Sequence, residues 1–67
     1  MATQVRFIED DRFGLWRAGE VAEDLGWEQE GIGPGHPHFI PMRLLRTKHG
    51  ETIALFNPFG RGLIEQI

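Results

Sequence analysis

The segments PMRLLRT and ETIALF flank Lys48-His49-Gly50, and they constrain this chain more than any other stretch. Ile40, Met42 and Leu44 alternate with Pro41, Arg43 and Leu45, while Ile53 and Leu55 alternate with Thr52, Ala54 and Phe56. A period of two sends successive side chains to opposite faces, so each segment reads as a strand with one face inside. His49-Gly50 then serve as the two central residues of a tight turn, where both need positive φ. Glycine takes that freely, and histidine tolerates it better than a β-branched residue does. The alternation predicts an inner face of Ile40, Met42, Leu44, Ile53 and Leu55, joined by Val5, Phe7 and Trp16. Arg43 falls on the outer face. Arg46 continues the inward row and must leave the core at the strand's end.

Three more segments carry local signals. QVRFIE alternates Val5 and Phe7 against Arg6 and Ile8, giving a first strand that ends at Glu9-Asp10-Asp11. Asn57-Pro58-Phe59-Gly60 has the residue preferences of a type I turn, with Asn first, Pro second and Gly fourth. Leu63, Glu65 and Ile67 alternate with Ile64 and Gln66, a short closing strand. The stretch FGLWRAGEVAEDLGW has two readings. Val21 and Leu25 are four apart, as are Ala18 and Ala22, and Gly26 suits a helix C-cap, which favours a helical turn or two over 20–25. Gly14 and Gly19 oppose a long helix, since each costs about 1 kcal/mol relative to Ala. The preferred reading is a strand through Leu15–Arg17, a turn at Ala18-Gly19 and another strand from Glu20. Short strands separated by turns point to one mostly β domain over 1–67. We expect a small five-stranded barrel-like sheet with at most a short helical turn.

Sixty-seven residues bury only about 60% of the surface of the unfolded chain, so the core is marginal. Small scaffolds usually recruit disulfides, a metal or a partner subunit. The absence of cysteine removes disulfides, Cys-based zinc sites and thiol catalysis. No apolar run reaches the roughly 20 residues of a membrane span. The opening MATQVRFIEDD lacks the pattern of a signal peptide. A soluble, intracellular protein is the expectation. The net charge of −3 conceals a division. Residues 1–30 hold eight acids and three arginines, whereas 31–67 hold two acids against Arg43, Arg46, Lys48 and Arg61.

Arg17-Ala18-Gly19-Glu20-Val21 closes a long acidic loop that follows a first strand. ETIALFNPFGRGLIEQI supplies half of a hairpin, a proline-containing turn and a last short strand. In this order the chain resembles a Src-homology-type small β-barrel over most of its length. That family closes its acidic loop with a basic-small-Gly-acidic turn. Its peptide-binding branch lines a groove with tyrosines and tandem tryptophans. This chain has no tyrosine and no tandem tryptophans, so proline-rich peptide binding is not carried over. Val-x-Phe followed by G-x-W-x-A-G-E-V is also similar to short proteins of bacteriophage head and tail gene clusters. That resemblance implies a virion accessory component, by decoration or head–tail joining. A phage-encoded inhibitor of a host protein is the nearest variant.

The segment GIGPGHPHFIP holds two of the three histidines. His36 and His38 would face one side of an extended segment, but zinc needs three or four ligands. Glu30 or His49 would have to supply the third, and no spacing fixes it. No metal and no cofactor is expected. Pro34, Pro37 and Pro41 preset the backbone, so the segment reads as a stiff connector into the hairpin. Such a segment loses little entropy on binding, which makes His36, Pro37 and His38 candidate partner contacts. Trp27, in acidic surroundings, and Phe59, at a turn tip, are candidate aromatic anchors. There is no serine and no phosphate-binding glycine motif. The expectation is a non-enzymatic chain that binds another protein or itself, with no membrane and no small-molecule substrate. The alternative is a nucleic-acid-binding barrel. Arg43, Arg46, Lys48 and Arg61 would then meet phosphates, and Phe56 or Phe59 would stack on bases. The acidic half disfavours it by repelling the same backbone.

Overall fold

The computed structural model describes residues 3–29 and 31–67. Five strands form: β1 (Thr3–Phe7), β2 (Val21–Trp27), β3 (Met42–Arg46), β4 (Thr52–Phe56) and β5 (Ile64–Gln66). They make one antiparallel sheet in the order β4-β3-β2-β1-β5. No helix occurs among the described residues, and in place of a helical turn over 20–25 the chain enters β2 at Val21.

Val5 and Phe7 alternate inward with Gln4 and Arg6 outward, as the β1 pattern dictates. Val5, Phe7, Trp16, Ala22, Leu45 and Ile64 form the core, with Ile53, Leu55 and Leu63 packed against it. In a flat sheet β4 and β5 would lie about 19 Å apart, four strand spacings. Ile53 and Leu55 of β4 nevertheless join the cluster that contains Ile64 of β5, so the sheet coils around its inner face. β4 and β5 do not pair with each other.

Residues 8–20 contribute to the core without forming a strand. The expected strand through Leu15–Arg17 is absent, because Asp11 takes over the local hydrogen bonding. Its carboxylate accepts the N–H of Phe13 at 3.2 Å and of Leu15 at 3.0 Å. This winds the loop so that Trp16 stacks on Phe7, with ring centroids 4.5 Å apart, and its indole N–H donates to the Glu9 carbonyl at 2.9 Å. The Ala18-Gly19 turn is present. Glu20 N–H donates to the Arg17 carbonyl at 3.1 Å, and Gly19 takes a φ of 89°. Glu20 also accepts the Arg17 N–H and pairs with Lys48 at 2.9 Å. These two partners, the Lys48 ammonium first, hold its carboxyl below the ordinary value of 4.5.

The hairpin of β3 and β4 is present, but its turn is not the two-residue type. Gly50 N–H donates to the Thr47 carbonyl at 2.9 Å, and Thr47 N–H to the Glu51 carbonyl at 2.8 Å. Lys48-His49 are the central residues, and only Gly50 has positive φ, at 84°. This is a type I turn followed by a left-handed glycine, the usual three-residue hairpin. Thr47 is 4% exposed, and its hydroxyl accepts the N–H of both His49 and Glu51. At the other tight turn, Asn57 takes a φ of 43°, and its carbonyl accepts from Arg61 at 3.0 Å. The bond closes one residue later than in a type I turn, and Pro58 is buried beneath it.

The face of β3 is the reverse of the expected one. Leu45 is fully buried opposite Ile53, and Arg43 shares that inner face opposite Leu55. Met42 and Leu44 sit on the outer face opposite Phe56 and Ala54. Ile40 precedes the strand and is 52% exposed. Arg46 is an outer residue, 3.7 Å from Glu23. Leu44 and Leu45 are both apolar, so hydrophobicity alone does not choose between the two phases. Asp24 on β2 gives Arg43 a partner on the inner face, and that decides it.

Gly50→Val forces a β-branched residue into left-handed geometry. It is expected to cost on the order of 1–3 kcal/mol in a urea or thermal melt. His49 needs no such geometry, so His49→Asn is expected to melt like the parent.

Candidate functional site

The site grows from a bulge in β2. The pairing of β2 with β3 shifts register between Asp24 and Gly26, and Gly26 takes a φ of 99°. Asp24 Oδ1 accepts the Gly26 N–H at 3.0 Å, which fixes the bulge. Across the strands Arg43 donates from Nε to Oδ1 at 3.0 Å and from Nη2 to Oδ2 at 2.7 Å. This is the two-point guanidinium–carboxylate fork. The Asp24 side chain is 4% exposed and that of Arg43 21%, so the pair is largely withdrawn from water.

The bulge also turns Trp27 to the same face, directly across from Arg43. The guanidinium lies 4.4 Å from the Trp27 ring centroid and 5.8 Å from that of Phe59. Both distances fall within the range in which a cation is attracted to a ring face. Phe39 meets Trp27 edge-on at 4.9 Å and 88°. Asp24, Arg43, Trp27, Phe39 and Phe59 thus form one stack at the end of the inner face.

Residues 28–41 connect β2 to β3, as the proline–glycine segment implied. The Gln29 amide clamps the connector: its Oε1 accepts the Ile40 N–H at 2.7 Å and its Nε2 donates to the His38 carbonyl at 3.2 Å. His36, Pro37 and His38 are exposed beside Phe39. His36 Nδ1 accepts the His38 N–H at 3.1 Å, so that nitrogen is already engaged. Among the described residues no three His, Asp or Glu side chains group to hold a metal ion. Glu30, a suggested third ligand, lies outside the described residues.

An open cleft of about 300 Å³ lies between the 8–20 loop and the turn that begins at Asn57. Trp16, Leu55 and Leu63 line it, with Phe13, Asp10, Asp11 and Arg61 around them. Phe13 is 82% exposed, held out by the Asp11 turn, with the Arg12 guanidinium 5.8 Å from its ring. Leu55 lines the cleft and is the cross-strand neighbour of Arg43, so cleft and aromatic stack adjoin. The acids here serve the loop backbone: Asp10 accepts the Ala18 N–H at 2.8 Å, and Asp11 accepts two N–H groups.

Trp27 and Phe59, nearly half the sequence apart, are therefore both brought within reach of the Arg43 guanidinium. The proposed phosphate contacts do not gather. Arg43 is bound to Asp24, Arg46 faces Glu23 and Lys48 faces Glu20, while Arg61 donates to the Phe56 carbonyl at 3.4 Å. Sequence reasoning missed Phe13 and Asp24. An aromatic between Arg12 and Gly14, two residues after an aspartate, is the available signal for the first. Among the described residues no helix is long and apolar enough to cross a membrane.

Asp24→Ala leaves the Arg43 charge withdrawn from water and unpaired. It is expected to cost about 2–4 kcal/mol in urea unfolding. Glu65→Ala breaks a pair whose side chains are 49% and 48% exposed, and less than about 1 kcal/mol should be lost.

Compared with protein-family models, curated proteins and solved structures, the chain matches none of them.

Proposed function

We propose that this chain is a non-enzymatic small β protein that acts by binding another protein, most concretely as an accessory component of a virus particle. The observation that carries the reading is Phe13, 82% exposed on a loop that is nonetheless hydrogen-bonded into a fixed shape. An aromatic held rigidly in water loses little entropy when a partner covers it. Phe59, 42% exposed, belongs to the aromatic group around Arg43, the cross-strand neighbour of the cleft residue Leu55. Aromatic and arginine side chains are the groups most enriched at protein interfaces. A cleft of about 300 Å³ suits an inserted side chain of a partner. The likeness to Src-homology-type small barrels and to phage head and tail proteins belongs to this proposal. The nucleic-acid alternative has less support, because three of its four cations already face acids and Arg43 and Arg46 lie on opposite faces of the sheet.

The test uses tagged parent chain with Phe13→Ser and Phe59→Ser, incubated with extract from the cells or particles that contain the protein. The parent should retain a specific protein, and each variant should retain it roughly tenfold less. A melt should confirm that each variant is folded at the assay temperature, with the variant of the 82% exposed Phe13 melting like the parent. Equal retention by all three, or capture of nucleic acid that salt releases, would contradict the reading.

A further inference from the structure

β4 is the outermost strand on its side of the sheet. The hydrogen-bonded positions of its pairing with β3 are bracketed at both ends. Thr47 N–H donates to the Glu51 carbonyl at 2.8 Å, and Asn57 N–H donates to the Pro41 carbonyl at 2.7 Å. An antiparallel ladder alternates, so Ile53 and Leu55 bond to β3 while the N–H and C=O groups of Thr52, Ala54 and Phe56 point away from it. Among the described residues no loop or turn backbone bonds to these outward groups. Protein sheets usually blunt such an edge with a charge, a proline or a bulge. Thr52–Phe56 contains none of these. At the opposite edge β5 is only three residues long and carries Glu65. The outer face beside β4 is apolar as well. Ala54 and Phe56 are exposed, Met42 and Leu44 are half-buried, and Leu25 is 38% exposed.

We propose that this edge receives a second copy of the same chain, β4 against β4 in antiparallel, about a twofold axis at Ala54. The inference is independent of the cleft reading. The charges around the strand select the occupant. Pairing centred on Ala54 sets Thr52 opposite Phe56 of the second copy, and Glu51 opposite its Asn57. Arg61 stands at that end, its Nη1 3.4 Å from the Phe56 carbonyl. Neither Glu51 nor Arg61 makes an ion pair among the described residues. Each copy thus presents a carboxylate at one end of the strand and a guanidinium at the other. The twofold brings both opposite pairs together, and nothing charged lies between them. A self-complementary patch of this kind is what a twofold interface requires. The Phe56 carbonyl keeps a second lone pair for the new strand.

The experiment is light scattering or sedimentation of the full chain at concentrations reaching about 1 mM. The mass should rise with concentration from 7.7 kDa toward twice that value. Ala54→Lys puts two ammonium groups face to face across the axis and should hold the chain at 7.7 kDa, with its melt confirming that it folds. Glu51→Arg and Arg61→Glu should each weaken association by roughly tenfold. An equimolar mixture of these two variants should restore it, because every new arginine then faces a new or native glutamate. A parent that stays at 7.7 kDa throughout overturns the proposal. So does a dimer indifferent to Ala54→Lys, or a mixture that fails to recover.

Discussion

A carboxylate with 4% of its side chain exposed has to be neutralised where it stands. Asp24 meets that requirement with one guanidinium and one backbone N–H, and the rest of the molecule follows. The N–H comes from Gly26, so the carboxylate holds the β2 bulge open. The bulge shifts the register and brings Trp27 opposite Arg43. Arg43 must point inward to reach Asp24, and strand periodicity then sends Leu45 into the core and Leu44 out of it. Breaking this pair costs far more than breaking a surface pair, because the surviving charge stays out of water.

The core itself is small, and loops complete it. Trp16 comes from a segment with no regular structure and stacks on Phe7. Asp10 and Asp11 fix that segment by accepting its N–H groups, so acids that look like surface charge in the sequence act as scaffolding. The same bonds set Phe13 in solvent. Gln29 performs the equivalent task for the 28–41 connector and, with Trp27, seats Phe39. Residues on loops braced by side chains need little reordering to meet a partner, and the proposed recognition role of the aromatic face and the cleft rests on that.

Much of this was legible in residue order. Val5 and Phe7 alternate cleanly with polar neighbours, and both lie in the core. The hairpin and the Ala18-Gly19 turn were marked by Gly50 and Gly19, whose positive φ the backbone uses. Trp27 stood out by its acidic surroundings and Phe59 by its place at a turn tip. The phase of β3 was not legible, because Leu44 and Leu45 are equally apolar and the deciding residue, Asp24, lies nineteen positions earlier. The turn type was hidden for a similar reason. Thr47, whose hydroxyl organises the loop, reads in sequence as an ordinary strand end. Local pattern fixes where strands run, whereas a single long-range ion pair decides which way one of them faces.

The direct measurement is the Arg43 Nε–H signal in a nuclear magnetic resonance spectrum of the isotope-labelled chain. If Arg43 is bound to Asp24 beneath Trp27, that proton exchanges slowly with water and shows through-space contacts to the indole ring. The Arg6 Nε–H, in a half-exposed pair, should exchange far faster. An Arg43 proton that exchanges as fast as that of Arg6 and shows no contact with Trp27 would place Arg43 on the outer face. The register, the bulge and the aromatic stack derived from the pair would then all be wrong.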